Sequence, residues 1–379
     1  MSFVKKAADA VKKSSEGVGD KANPPKKLSK EKNEQSAKSD KKPKKGSKDP
    51  LTPPMSLITA TPNRAAEIVM KRFAILTIGK GVNGLLKEYA DLKAVCPPPT
   101  PEQRVSFDID RSPEKNRYRD MFCWEENRVV LTWPPDASGG DYIHANWIAG
   151  LPDVPRKIIC TQAPIEKTVA DFWRMIWQEK CQSILMLCSV TEDGKKKCEQ
   201  YWPDAEGSEM KHANLTIKNH NVVMQDDIQV TKLSVSGKHL DGRTGEHIVV
   251  HVHWTGWPDK SVPASSTGAI RAIVRTQNFS PLVVHCSAGV GRTGTIVVIE
   301  AALRMLLAGR EVSIYNVVKE VRSQRYMACQ TDLQYLYIHR AIIAYITSKN
   351  VMMAIQVSRF VEDYNALVDD RKQAKTVDQ

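Results

Sequence analysis

The sequence holds no uncharged apolar run of the roughly 18 residues that a membrane-crossing helix needs. Its opening, Met1-Ser2-Phe3-Val4-Lys5-Lys6, lacks the apolar core of a secretory leader, and Ser2 stands where an N-myristoylation signal needs glycine. Cysteine is sparse: eight in 379 residues, scattered, with no paired spacing for a disulfide framework or a zinc site. A disulfide-stapled scaffold is thereby excluded, and a reducing, cytoplasmic setting is expected. No metal and no cofactor are expected.

The first 50 residues lack arginine and contain one aromatic residue, Phe3. They carry 15 Lys against 7 acidic residues, a charge of +8 out of the chain's +12. Such a segment cannot bury enough apolar surface to offset its ordering entropy, so residues 1–58 are expected to be a disordered tail and linker. Met1 to Lys13 has the pattern of a basic amphipathic helix, with Phe3, Val4, Ala7 and Val11 on one side. Two readings stand: a solvated tail, or an anchor for an anionic membrane surface or an acidic partner. Nucleic acid is not expected as a partner, because arginine and interleaved aromatics are missing.

What is present centres on Val284-His285-Cys286-Ser287-Ala288-Gly289-Val290-Gly291-Arg292-Thr293-Gly294. Leu282-Val283-Val284 reads as a buried strand, and Thr293 to Leu307, apolar and without proline, as a buried helix. A glycine-bearing loop running from a strand into a helix points backbone N–H groups at one spot and cradles an anion. A helix N-terminus also favours a thiolate over a thiol. Arg292 adds a planar fork that matches two phosphate oxygens. The stretch therefore places a sulfur nucleophile and a phosphate binder over one site.

Cys286-x5-Arg292-Thr293 after Val284-His285 resembles the signature loop of the protein tyrosine phosphatases. Further strings follow in the family's order over residues 60–350. Gly84-Leu85-Leu86-Lys87-Glu88-Tyr89 resembles the opening helix of the domain. Lys115-Asn116-Arg117-Tyr118-Arg119-Asp120 resembles the loop bordering the cleft of the phosphotyrosine-specific branch. Asp141 to Asn146, Cys160-Thr161-Gln162-Ala163-Pro164 and Asp171 to Trp177 resemble core strings. Ala163 departs from the usual glycine, a strained choice if that residue needs positive φ. The resemblance implies an α/β fold, a twisted mixed sheet flanked by helices, over residues 59–350, in a non-receptor, single-domain form. Residues 351–379 carry a helical stripe of Met353, Val357, Phe360, Val361, Tyr364 and Leu367, read as core packing or as a partner helix.

The resemblance also implies roles. Cys286 is the nucleophile, and Arg292 binds the phosphoryl oxygens with the backbone of Ser287, Ala288, Gly289, Val290 and Gly291. Thr293 assists the sulfur as leaving group, and His285 acts through backbone contacts. Asp259, in Trp257-Pro258-Asp259, is the general acid on a closing loop, with Trp257 as packing surface. Lys260 and Ser261 depart from the family's usual residues there. Tyr118 stacks on the substrate ring, making the pocket too deep for phosphoserine, and Asp120 accepts the substrate's backbone N–H groups. Glu192 pairs with Arg292 on a loop that reaches Lys197, where Asp193 replaces a commonly basic residue. Gln330 orients the water that hydrolyses the phosphocysteine, and Gln334 assists. His251 and His253 share a strand face, but no third metal ligand is indicated, so a structural role is expected. The function implied is phosphotyrosine hydrolysis in proteins. The alternative is a catalytically weak phosphotyrosine-binding module.

Overall fold

The computed structural model describes residues 58–110, 114–135, 139–258 and 261–377. The Lys-rich tail, its amphipathic segment, and both Asp259 and Lys260 lie outside the described residues.

Eight helices and eleven strands are described: α1 Arg64–Val95, α2 Val105–Asp110, β1 Arg128–Val130, β2 Tyr142–Ile148, β3 Ile158–Thr161, α3 Val169–Gln178, β4 Ser183–Met186, β5 Thr191–Glu192, β6 Lys195–Lys196, β7 Glu209–His212, β8 Leu215–Gln225, β9 Ile228–Lys238, β10 Thr244–Trp254, α4 Gly268–Thr276, β11 Leu282–His285, α5 Gly291–Leu307, α6 Ile314–Gln324, α7 Asp332–Ser348 and α8 Ala354–Val377. Nine strands form one mixed sheet in the order β1-β2-β3-β11-β4-β10-β9-β8-β7. The centre is parallel: β11 pairs with β3 on one side and β4 on the other, and β10 continues in parallel beyond β4. The flanks are antiparallel hairpins. Central parallel strands are covered on both faces, so they read as unbroken apolar runs. That is why Leu282-Val283-Val284 shows no alternation, and every residue of β11 is buried.

Helix α5 follows β11 through the Cys286 loop, and all its residues but Met305 are buried. Ligands of open α/β sheets bind beyond the carboxyl ends of the strands, and Cys286 occupies that place in the middle of the sheet.

Two helices differ from their apolar spacing. In α1, Asn63 caps the N-terminus, its Oδ1 accepting from Ala66 N at 2.9 Å. Ile68, Val69, Phe73 and Leu76 stand at helical spacing, yet they do not form the buried face: Ile68 and Leu76 are 59% and 57% exposed. Smaller residues face inward with Met70 and Phe73, namely Ala66, Ala74 and Thr77, because α1 lies close against α7 and α8. Gly81, at φ 62°, breaks α1 in the middle. In α8, Val357, Phe360, Tyr364 and Val368 join the main core, whereas Met353, just before the helix, is exposed. Core packing is the realised reading for that helix. Among the described residues no helix is long and apolar enough to cross a membrane.

Candidate active site

Cys286 sits 4% exposed at the floor of a cleft of about 590 Å³. Tyr118, Asp120, Lys197, Arg292, Gln330 and Gln334 are among the residues that line it. The loop beneath is shaped by Gly289 at φ 68°, whose missing side chain lets Thr161 O approach: a Cβ would lie 1.9 Å from that oxygen. Gly289 N donates to Cys286 Sγ at 3.2 Å. Thr293 Oγ1 is buried and makes no hydrogen bond among the described residues.

Arg292 is held by two parallel bonds to Glu192, Nη1 to Oε1 at 2.6 Å and Nη2 to Oε2 at 2.7 Å, and by Nη1 to Leu187 O at 2.8 Å. Burial opposes its charge, but the Glu192 hydrogen bonds and the nearby Cys286 outweigh it and hold the guanidinium above its usual range. Glu192 reaches Arg292 from the β5–β6 hairpin. The turn residues Asp193 and Gly194 have φ of 48° and 69°, as a two-residue hairpin turn demands. Asp193 is thus an exposed turn residue.

Tyr118 walls the cleft with its Oη 2.9 Å from Ser287 Oγ, and Asp120 is exposed at the rim. Arg117 fastens that wall to the adjacent turn through Ala163 O at 3.2 Å and Pro164 O at 2.7 Å. Ala163 itself is not strained: it is absent from the residues with positive φ, and its N–H donates to Ser287 O at 2.9 Å. Trp257 does not line the cleft. Its ring is buried between Trp254 and Tyr337, with Nε1 donating to Ser261 O at 3.1 Å. Val290 likewise faces the core, and its carbonyl accepts from Gly294 N and Cys329 N. Across the cleft, Gln334 Oε1 accepts from Gln330 N at 2.9 Å and Thr331 N at 3.2 Å, so Gln334 shapes the turn that presents Gln330.

Two supports were not assigned from the sequence. Arg325, 0% exposed, lies under the cradle and donates Nε to Gly289 O at 3.0 Å and Nη2 to Ala288 O at 3.3 Å. Its other partners, Asn146 Oδ1 and His144 Nδ1, are uncharged, so a buried cation underlies the anion site. The second is a chain of rings. His285 Nδ1 lies 3.2 Å from Cys286 O, which only accepts, so Nδ1 carries the proton. His285 Nε2 then accepts from Tyr201 Oη at 2.7 Å, and Tyr201 Oη accepts from His251 Nε2 at 2.8 Å. Burial lowers the His285 pKa to about 3, which keeps this chain neutral. His251 is thereby structural, and His253 Nε2 bonds Cys188 O at 2.8 Å. No metal-holding group of His, Cys, Asp and Glu occurs among the described residues.

A family model, Protein-tyrosine phosphatase, matches residues 112–344. The chain is 35% identical over 267 residues to human receptor-type tyrosine-protein phosphatase alpha, covering 69% of this chain and 33% of that protein. It is 36% identical over 254 residues to the Caenorhabditis elegans tyrosine-protein phosphatase Lar-like, covering 63% of this chain and 11% of that protein. The chain thus spans a third or less of the length of these relatives. A solved structure reported as the basis of the PTPN18 fingerprint on distinct HER2 tyrosine phosphorylation sites is similar at TM-score 0.60 and 28% identity, over 69% of this chain and 94% of that one.

Proposed function

This chain belongs to the protein-tyrosine phosphatase family, and on that premise we propose that it hydrolyses phosphotyrosine in proteins through a phosphocysteine intermediate. The observation that carries the reading is the cleft floor: Cys286 Sγ takes a hydrogen bond from Gly289 N, beside an Arg292 fork aligned by two bonds to Glu192. Cys286 Sγ attacks phosphorus, and the bond to the tyrosine oxygen breaks. Arg292 and the loop N–H groups hold the equatorial oxygens, where charge gathers. Asp259 gives its proton to the leaving phenolate oxygen, a role that rests on the Trp257-Pro258-Asp259 string. Gln330 then orients a water whose oxygen bonds to phosphorus as Asp259 takes its proton and the sulfur–phosphorus bond breaks, releasing inorganic phosphate and the Cys286 thiolate. The scheme uses no cofactor. The depth set by Tyr118 selects phosphotyrosine over phosphoserine.

Residues 59–350 form the catalytic domain in this reading, working in the cytoplasm, while residues 1–50 supply positive charge for an anionic membrane surface or an acidic partner. Binding to phosphatidylserine vesicles that survives removal of residues 1–50 would sink the tail assignment.

Two variants test the chemistry. Cys286→Ser should abolish release of phosphate from a phosphotyrosine peptide while leaving peptide binding measurable. Asp259→Ala should lower turnover by about 10²–10⁴-fold with little loss of affinity, the usual worth of a general acid. Full activity in either variant refutes its assigned role. A wild type that binds phosphotyrosine yet releases no phosphate is the binding module instead.

A further inference from the structure

The Gln330 loop is held from behind by the first helix, and we propose that Tyr89 is a positioning residue for the second chemical step, its hydroxyl fixing the backbone from which Gln330 reaches the attacking water. The inference rests on the phosphocysteine reading above and assigns part of its second half.

Tyr89 belongs to the second half of α1, after the break at Gly81, and is 4% exposed. Its hydroxyl donates to the Gln330 carbonyl and lies 3.4 Å from Cys329 O. Arg322 completes the clamp: Nη2 reaches Cys329 O at 2.8 Å and Tyr89 Oη at 3.4 Å, and Nε reaches Ala328 O at 2.9 Å. Its guanidinium lies 5.4 Å from the centre of the Tyr89 ring. Burial first, and the nearby Cys329 second, raise the phenol's pKa well above its usual range, so the hydroxyl keeps the proton that it donates.

The loop needs such a clamp. Met327 and Cys329 take φ of 59° and 55°, left-handed values that side-chain-bearing residues resist. Gln330 is then held at both backbone groups, its N–H by Gln334 Oε1 at 2.9 Å and its carbonyl by Tyr89. Among the described residues the side-chain amide of Gln330 makes one weak contact, Nε2 to Met121 Sδ at 3.7 Å, so its aim at the cleft depends on the backbone beneath it. Among the described residues Tyr89 makes no hydrogen bond to the Cys286 loop. Its effect should therefore fall on hydrolysis and spare phosphorylation.

Tyr89→Phe removes the hydroxyl and keeps the ring that packs 5.7 Å from Tyr335. Rapid-quench kinetics on the full chain with 4-nitrophenyl phosphate separate the two steps. The hydrolysis rate constant should fall about 3- to 10-fold, the worth of one buried hydrogen bond, with phosphorylation unchanged. Steady-state kcat and KM should fall together and leave kcat/KM unaltered, because kcat/KM reports only the steps through phosphorylation. In a Gln330→Ala background the same substitution should add nothing. A fall in kcat/KM that matches the fall in kcat overturns the inference, since it marks damage to the cradle. Unchanged hydrolysis, or full additivity with Gln330→Ala, overturns it as well. Absence of any phosphoenzyme in the wild type overturns the parent reading, a result independent of Tyr89.

Discussion

Two loops meet at the floor of the cleft and reach their shapes by opposite means. The loop from Cys286 to Arg292 turns at Gly289, where both φ and the Thr161 carbonyl forbid a side chain. Its conformation is written into the residue type. The loop from Tyr326 to Gln330 contains no glycine, yet turns left-handed at Met327 and Cys329. Arg322 and Tyr89, from two other helices, impose that shape through its carbonyls. One loop carries its own instructions, and the other is shaped by its neighbours. The difference matches the demands on them. The cradle must aim several N–H groups at one phosphoryl group, whereas the Gln330 loop must aim one amide at one water.

The largest test of this contrast is Gly289→Ala. The added Cβ must push the Thr161 backbone away, and displacements near 1 Å at a reacting centre cost about 100-fold. Turnover of an aryl phosphate should fall by at least that order. A loss under about 10-fold would show that the cradle is as forgiving as its neighbour. Glu192→Gln comes next. It keeps the size of the brace and removes its charge, and hydrogen bonds to charged groups are worth about 1.5–3 kcal/mol. A drop of about 10-fold in kcat/KM is expected, and an unchanged value would mean that the Glu192 charge is not needed to align Arg292.

Acid should weaken the scaffold beneath both loops. His144, His285 and His339 are each buried, and burial lowers each pKa from 6.5 to about 3. Between those values the unfolded chain binds protons that the folded chain refuses, so stability rises with pH across that window and falls as pH drops from 6.5 toward 3. Urea unfolding midpoints at pH 7, 5.5 and 4.5 should decline in that order. His339→Gln, remote from the cleft, should make the decline shallower, and an unchanged slope would remove His339 from the account. The smallest effect belongs to Met327→Gly. Glycine relieves the left-handed backbone but brings extra unfolded-state entropy, each worth about 1 kcal/mol with opposite signs. Unfolding free energy should shift by less than about 1 kcal/mol. A large stabilisation would mean that Arg322 and Tyr89 leave the strain uncompensated.

Much of the site was legible because its parts are contiguous. Cys286 to Arg292, Lys115 to Asp120 and Gln330 to Gln334 each lie on one short string, and the structure brings all three around one cleft. The pairing of Glu192 with Arg292 was implied by family resemblance, and the two groups stand 2.6 and 2.7 Å apart. Misjudged features depend on which side faces a neighbour. Along α1, Ile68 and Leu76 stay exposed while smaller residues face inward, and the Thr293 hydroxyl makes no hydrogen bond among the described residues. Arg325 carried only a weak signal, a second arginine three residues after Arg322 in a string otherwise read for its glutamines.

By itself the sequence determined the chemistry-bearing residue types, the glycine turn under Cys286 and the central buried strand that delivers it. These are local properties: a positive φ, an unbroken apolar run, a thiol and a guanidinium at short spacing. Only the tertiary structure decided that Arg325 would lie beneath the cradle with uncharged partners, that His285, Tyr201 and His251 would form one neutral chain, and that Tyr89 would reach the Gln330 carbonyl from 241 residues away. A buried donor must find an acceptor, and which acceptor it finds depends on how distant segments pack.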